Sequence, residues 1–267
     1  MSFNAAAYIE LRDALTTITI AAAEAIRLAQ TQSAVEIKAD GSPVTAADNA
    51  AEAVIRDGLM RLAPDVTVIS EEESERERHA ISVDRYFLVD PLDGTKEFIS
   101  GRDEYTVNIA LVVSGVPTVG VIAAPAQGLI WRGIVGGGAD RLEFSGRKAG
   151  TPQAIKTRPR PSDELVVMVS RSHLEARTQA YLERFPRTRR TGCGSSVKFC
   201  RLAEGAADLY PRLAPTHDWD IAAGHAILTA AGGAVAAPDG SSLTYGSPDL
   251  LIPAFVAWGD AAAASRG

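Results

Sequence analysis

The stretch Tyr86-Phe-Leu-Val-Asp-Pro-Leu-Asp-Gly-Thr-Lys-Glu-Phe98 decides how this chain of 267 residues is read. Tyr86–Val89 is a short aromatic and β-branched run, the composition of a buried strand. Asp90 emerges at the rim of that strand, and Pro91 suits the second position of a turn that folds Asp93 back beside Asp90. Two carboxylates so placed repel each other unless a cation lies between them. The same turn aims the Leu92 carbonyl at that point, and a donor set made only of oxygen suits hard Mg2+ or Mn2+. Gly94 and Thr95 then open a helix whose free N–H groups favour a phosphate. Standing alone, an Asp-Pro-x-Asp-Gly segment is more often an ordinary turn, so its company along the chain matters.

Three further segments supply that company. Val66-Thr-Val-Ile69 is another strand-like run that stops at Ser70-Glu71; Glu72 and Glu73 belong with the solvated run Glu71–Arg78. Asp40-Gly-Ser-Pro-Val-Thr-Ala-Ala-Asp48 leads into a helix capped by Thr45 or Asp48, with Ala51, Val54, Ile55, Leu59 and Leu62 on its apolar side and Pro64 at its end. Trp219-Asp-Ile-Ala-Ala-Gly-His225 opens another helix. Asp220, set among apolar neighbours there, is either an N-cap or a metal ligand. Beside the Asp90 and Asp93 pair, the ligand reading is favoured.

The rest of the chain alternates in the same way. Tyr8, Leu11, Leu15, Ile18, Ala22, Ala25 and Leu28 recur at helical spacing. The uncharged segment Tyr105–Trp131 is broken by Ser114-Gly115, Pro117, Pro125 and Gln127-Gly128 into paired strands, not a membrane span, and Ile130–Val135 ends at the turn Gly136–Gly138. Thr151–Ser162 is Pro- and Arg-rich and reads as a linker. Beyond it come a strand at Leu165–Val169, helices at Ala176–Phe185 and Ser195–Glu204, a strand at Asp208–Tyr210 and a helix at Ile221–Ala231 that runs into a strand. Strands and helices layered like this imply an α/β or α+β fold with two sheets.

Composition narrows the function classes. Hydrophobic residues at 46% and charged residues at 22% are those of a globular chain able to bury a core. A net charge of −6 argues against a nucleic-acid binder. Cys193 and Cys200 form neither a disulfide framework nor zinc spacing and read as packing residues in a reduced, cytoplasmic compartment. The opening Met1-Ser2-Phe3-Asn4 lacks the basic start of a signal peptide. His79 is expected at the surface, and His217 and His225 in structural roles.

Taken together, Asp90-Pro-Leu-Asp-Gly-Thr95 and Trp219-Asp220-x-Ala-Ala resemble the signatures of the inositol monophosphatase superfamily of metal-dependent, lithium-sensitive phosphatases, over roughly Ile37 to Ala231. Lys96-Glu97-Phe98, Ser170-Arg-Ser-His173, Gly194-Ser-Ser-Val-Lys-Phe-Cys200 and Ala203-Glu-Gly-Ala-Ala-Asp-Leu-Tyr-Pro-Arg212 are similar to its bisphosphate nucleotidase branch. One departure is Ala123, where related nucleotidases often carry a Tyr before Ala-Pro-Ala. The resemblance implies a layered α/β/α/β/α sandwich of the inositol monophosphatase/fructose-1,6-bisphosphatase type. Residues 1–160 would form an N-terminal metal-binding α+β domain, and 161–267 a C-terminal α/β domain completing the substrate site.

Carried over position by position, the resemblance makes Glu71, Asp90 and the Leu92 carbonyl ligands of one Mg2+. Asp90, Asp93 and Asp220 would hold a second, with a third, weaker ion near Glu71. Mn2+ would substitute, while Ca2+ and Li+ would inhibit. Thr95 and Asp48 match the water-activating pair, with Glu71 beside them in catalysis. Glu71, Leu92, Asp93, Gly94, Thr95 and Asp220 would surround the reacting phosphate. Ser195, Ser196, Lys198 and Arg212 would hold a second phosphate, and His173 and Arg171 would face the base or ribose. The activity implied is Mg2+-dependent 3'(2'),5'-bisphosphate nucleotidase action on 3'-phosphoadenosine 5'-phosphate, giving AMP and phosphate in sulfate assimilation, by a monomer or homodimer with a small-molecule substrate. The alternatives are an inositol-1-monophosphatase, a fructose-1,6-bisphosphatase, or a non-catalytic sensor, against which the intact Thr95 and Asp48 argue.

Overall fold

The structure is a computed structural model and describes residues 5–30, 35–37, 43–72, 83–171 and 175–264. Its N-terminal half begins with α1 (Ala5–Ala29), a small hairpin of β1 (Val35–Ile37) and β2 (Pro43–Thr45), and α2 (Ala46–Leu62). The start of α2 is fixed locally. Thr45 is its N-cap and Asp48 its third residue, with the Asp48 carboxylate accepting the Thr45 N–H at 2.8 Å and Ala47 N–H donating to the Thr45 hydroxyl at 3.2 Å.

A large sheet follows, built from β3 (Thr67–Ser70), β4 (Arg85–Asp93), β5 (Thr106–Val113), β6 (Val116–Ala124), β7 (Leu129–Ile134), β8 (Gly138–Ser145), β9 (Lys148–Ala149) and β10 (Gln153–Ile155), with the short α3 (Thr95–Ile99) between β4 and β5. The spatial order is β10-β8-β7-β6-β5-β4-β3, with β9 paired to β8. Within this sheet, among the described residues, only the β3–β4 pair is parallel. The period-two alternation of side chains sorts residues between layers. Phe87, Val89, Ile109, Leu111, Val119 and Val121 face α1 and α2, while Tyr86, Leu88, Ala110, Val112 and Ile122 face the middle of the molecule.

The C-terminal half contributes β11 (Leu165–Ser170), α4 (Ala176–Leu182), β12 (Thr188–Cys193), α5 (Val197–Ala203), β13 (Leu209–Arg212), β14 (Thr216–His217), α6 (Asp218–Ala230), β15 (Ala234–Ala236), β16 (Leu251–Ile252), β17 (Phe255–Trp258) and α7 (Ala261–Ala264). The second sheet runs β12-β11-β13-β17-β15, and β14 pairs with β16 apart from it. Along β11 the alternation repeats: Val166 and Met168 join the central core, while Leu165, Val167 and Val169 join a third cluster with Leu182 and Ala263. Helices α5 and α6 fill the space between the two sheets, so the layers are α/β/α/β/α, as expected. Helix α6 lies so close on β6 that a Cβ at Gly120 would stand 2.3 Å from the Ala223 carbonyl oxygen. Among the described residues no helix is long and apolar enough to cross a membrane.

Four local expectations change. Residues 90–93 do not leave the sheet in a tight turn. Strand β4 continues through them with a bulge, three steps from Asp90 to Asp93 opposing two from Asn108 to Thr106. Pro91 has no N–H to give to the ladder, and the extra residue absorbs that loss. Leu28, placed on the apolar face of α1, is 77% exposed. The start of the expected linker is β10, and Arg158 in the remainder is clamped by Asp208 through two bonds of 2.7 Å. Strand β12 was not foreseen, because its Arg-rich run sits at a sheet edge where side chains stay wet.

Candidate active site

The rims of β3 and β4, the start of α6 and the turn before α5 enclose a cleft of about 380 Å³. Because β3 and β4 are parallel, both end at this cleft, and the Glu71 N–H donating to the Val89 carbonyl at 3.1 Å extends their pairing by one residue. That extension sets Glu71 at the cleft with Asp90. The bulge turns Asp90 inward, 1% exposed. Its Oδ1 accepts the Leu92 N–H at 3.1 Å, and its Oδ2 is buried with no hydrogen-bond partner among the described residues. Gly94 adopts a left-handed φ of 93°, which turns the chain into α3 and brings Thr95 back over the bulge.

Thr95 Oγ1 lies 3.1 Å from the Leu92 carbonyl oxygen and 3.3 Å from Asp48 Oδ1. The other Asp48 oxygen is taken by Thr45, whose hydroxyl donates at 2.6 Å. The capping box of α2 thus serves the cleft as well, orienting a buried carboxylate toward the Thr95 hydroxyl. Asp220 is not the N-cap, which is His217; as third residue of α6 it accepts the His217 N–H at 3.2 Å and the Thr216 hydroxyl through Oδ2, and it lines the same cleft as Asp90.

Two of these acids, Asp90 and Asp93, are shifted upward in pKa. Burial, then Glu71, Asp93, Asp220 and Asp48, push the Asp90 carboxyl well above the usual range. Burial and Asp220 push Asp93 up, while Lys198 and hydrogen bonds from Ser196 pull it back. Among the described residues no group of three or more His, Cys, Asp and Glu side chains stands ready-formed as a metal cage. The residues nevertheless fit a hard divalent cation. A buried carboxylate oxygen lacks any partner, its neighbours are acids needing a counter-charge, and the donors are all oxygen.

Ser195, Lys198 and Arg212 also line the cleft. Lys198 is 3% exposed; its Nζ donates to the Ser195 carbonyl at 2.5 Å and the Cys193 carbonyl at 3.2 Å, and lies 5.1 Å from the Tyr210 ring centroid. Arg171, expected to face the base or ribose, is engaged by protein partners. Its guanidinium pairs with Glu104 at 2.7 Å and with the Gly192 carbonyl, and Glu104 also accepts the Gly194 N–H at 2.9 Å. His173, Glu73, His79 and Asp40 lie outside the described residues. Asn108, Thr106 and Glu104 were missed; each is an unremarkable polar residue locally, and its partners come from distant parts of the chain. Cys193 and Cys200 are buried packing residues, with burial pushing the Cys193 thiol up to about 11.

Residues 8–266 match the Inositol monophosphatase family. The chain belongs to that family. Among relatives, it is 46% identical to the 3'(2'),5'-bisphosphate nucleotidase CysQ of Escherichia coli K12 over 209 residues, 78% of this chain and 81% of that one. CysQ of Haemophilus influenzae is 34% identical, with 86% of each chain covered. The crystal structure of CysQ from Bacteroides thetaiotaomicron superposes with a TM-score of 0.79 at 34% identity, covering 92% of this chain and 96% of that one. The inositol monophosphatase of Thermotoga maritima, 23% identical with a TM-score of 0.76, shares the fold. This inositol monophosphatase-family chain is therefore a phosphatase, of a metal-dependent family that generally uses Mg2+. Its acidic cleft is where the chain gathers residues suited to that chemistry.

Proposed function

We propose that this chain is a Mg2+-dependent 3'(2'),5'-bisphosphate nucleotidase that releases phosphate from 3'-phosphoadenosine 5'-phosphate and leaves AMP. The observation that carries the reading is the cleft itself, in a chain 46% identical to CysQ. It holds an unpartnered buried oxygen of Asp90, with Glu71, Asp93 and Asp220 around it and Lys198 and Arg212 in the same wall. Spontaneous hydrolysis of a phosphate monoester is so slow that such a site must lower the barrier by about 20 kcal/mol or more.

Glu71, Asp90 and the Leu92 carbonyl would hold one cation, and Asp90, Asp93 and Asp220 another, with a third, weaker one near Glu71. Bound divalent cations supply neutralisation of the phosphoryl oxygens, acidification of the attacking water and stabilisation of the leaving oxygen. The remaining work falls to side chains. Thr95 Oγ1, 3.3 Å from Asp48 Oδ1, would take a proton from the attacking water as it passes its own to that oxygen. Asp48 stays oriented for this because its second oxygen is held by Thr45. Ser195 and the cations of Lys198 and Arg212 would meet a second phosphate, which a nucleotide monophosphate or a polyol monophosphate lacks. The buried free thiols of Cys193 and Cys200 suit a reducing, cytoplasmic compartment.

Phosphate release from 3'-phosphoadenosine 5'-phosphate, inositol 1-phosphate and fructose 1,6-bisphosphate, measured at saturating Mg2+ and again with a chelator, tests the reading. The bisphosphate nucleotide should give the highest kcat/KM, and the chelator should abolish it. A higher kcat/KM on inositol 1-phosphate, or turnover that survives the chelator, would refute it.

A further inference from the structure

Ser196, read from the sequence as holding a second phosphate, lines the cleft yet is 2% exposed, and all its polar atoms are spent on protein partners, its carbonyl accepting the Phe199 N–H at 3.0 Å. Its N–H and its hydroxyl both reach Asp93 Oδ2 at 2.6 Å, and the hydroxyl also lies 2.9 Å from the Asp220 carbonyl oxygen. A hydroxyl has one proton, and the carboxylate is the stronger acceptor. The lone pairs of Ser196 Oγ in turn accept from Asn108 Nδ2 at 2.8 Å. Asn108 is 1% exposed and sits on β5 directly opposite Asp90 in the register. Its own contact with Asp93 Oδ2, at 3.4 Å, is too long to count for much. The result is a directed chain from Asn108 to Ser196 to Asp93. It crosses from the large sheet to the turn before α5 and back.

We propose that Ser196 and Asn108 form a positioning pair that saturates Asp93 Oδ2, so that Asp93 presents its other oxygen alone to the cation. This rests on the metal-dependent reading above. The hydroxyl cannot serve this purpose and a substrate phosphate at once, because its single proton is directed at Asp93. The pair also carries register information: Asn108 and Thr106 face Asp90 and Asp93 across the bulge, so cation geometry depends on a neighbouring strand that supplies no ligand.

The test is Mn2+ binding to the substrate-free full chain, followed by electron paramagnetic resonance, alongside steady-state kinetics at saturating Mg2+. Ser196→Ala and Asn108→Ala should each weaken Mn2+ binding about 3- to 10-fold, and the double variant should be no weaker than the worse single one, because the two act in series. With the cation saturating, KM for 3'-phosphoadenosine 5'-phosphate should stay within about twofold. Mn2+ affinity unchanged in Ser196→Ala, or a raised KM with Mn2+ affinity intact, would overturn the pair and return Ser196 to the substrate. Additive losses in the double variant would overturn the series arrangement. Should Asn108→Ala fail to fold, Ser196→Ala alone decides, since it removes one hydroxyl from a small side chain. Failure of the unaltered chain to bind Mn2+ would instead sink the metal-dependent reading.

Discussion

Asp90 shows what the cleft demands of single residues. Burial and four acidic neighbours raise its pKa, so keeping it ionised at neutral pH costs the native state stability. Asp90→Asn should therefore melt a few degrees higher than the unaltered chain without divalent cation, while losing both Mg2+-dependent stabilisation and turnover. A lower melting point without cation would contradict this. His225 makes the opposite kind of prediction. Burial lowers its pKa to about 4, against about 6.5 in an unfolded chain, so the unfolded state takes up the proton first as pH falls. Stability should decline between about pH 6.5 and pH 4, by up to about 3 kcal/mol. His225→Gln should flatten that decline in urea titrations, and identical slopes would exclude it. Residues of the first kind could be named from the sequence, since Asp90, Asp93 and Asp220 stand beside apolar residues where an acid is conspicuous, and Glu71 stands at the end of a strand-like run. Asn108 and Glu104 were not, and Ser196 was named for a second phosphate but not for its contact with Asp93. Their partners lie 88, 103 and 67 positions away, as in Asn108–Ser196, Ser196–Asp93 and Glu104–Arg171, and no local pattern marks such pairs.

Helices α1 and α2 could be read from their helical spacing, because burial of one face imposes it, and β5 and β11 from short continuous apolar runs, because both their faces are buried. The β12 edge strand and the β4 bulge escaped for the converse reason: one exposes charged residues, and the other is defined by register with β5, which no single segment records. Close approach of elements is similarly invisible until they meet. Gly120 on β6 lies under α6, where an added Cβ would face the Ala223 carbonyl at 2.3 Å. Gly120→Ala should push α6 off the large sheet and destabilise the fold by about 1–3 kcal/mol or more. Since Asp220 lies in the first turn of α6, cation affinity should weaken as well. A urea midpoint equal to that of the unaltered chain would show that α6 yields without cost.

At the scale of the whole molecule, one apolar cluster joins both halves, with Tyr86 and Trp131 from the large sheet packed with Phe199, Trp219 and Ile227 from α5 and α6. We propose 160/161 as the boundary between halves in architecture alone, and expect far-UV circular dichroism and tryptophan fluorescence to report one coincident unfolding transition. Two separated transitions would show independent domains. The shared core also explains why the cleft can be built from both halves, with Glu71, Asp90 and Asp93 on one and Asp220 on the other. The central claim is that these distant acids act together on a phosphoryl group. Phosphate release from 3'-phosphoadenosine 5'-phosphate by Asp93→Asn at saturating Mg2+, with melting temperature recorded on the same sample, tests it most directly. A folded protein with kcat reduced at least about 1,000-fold, some 4 kcal/mol of barrier, is expected; turnover at the unaltered rate would mean that Asp93 takes no part in the reaction.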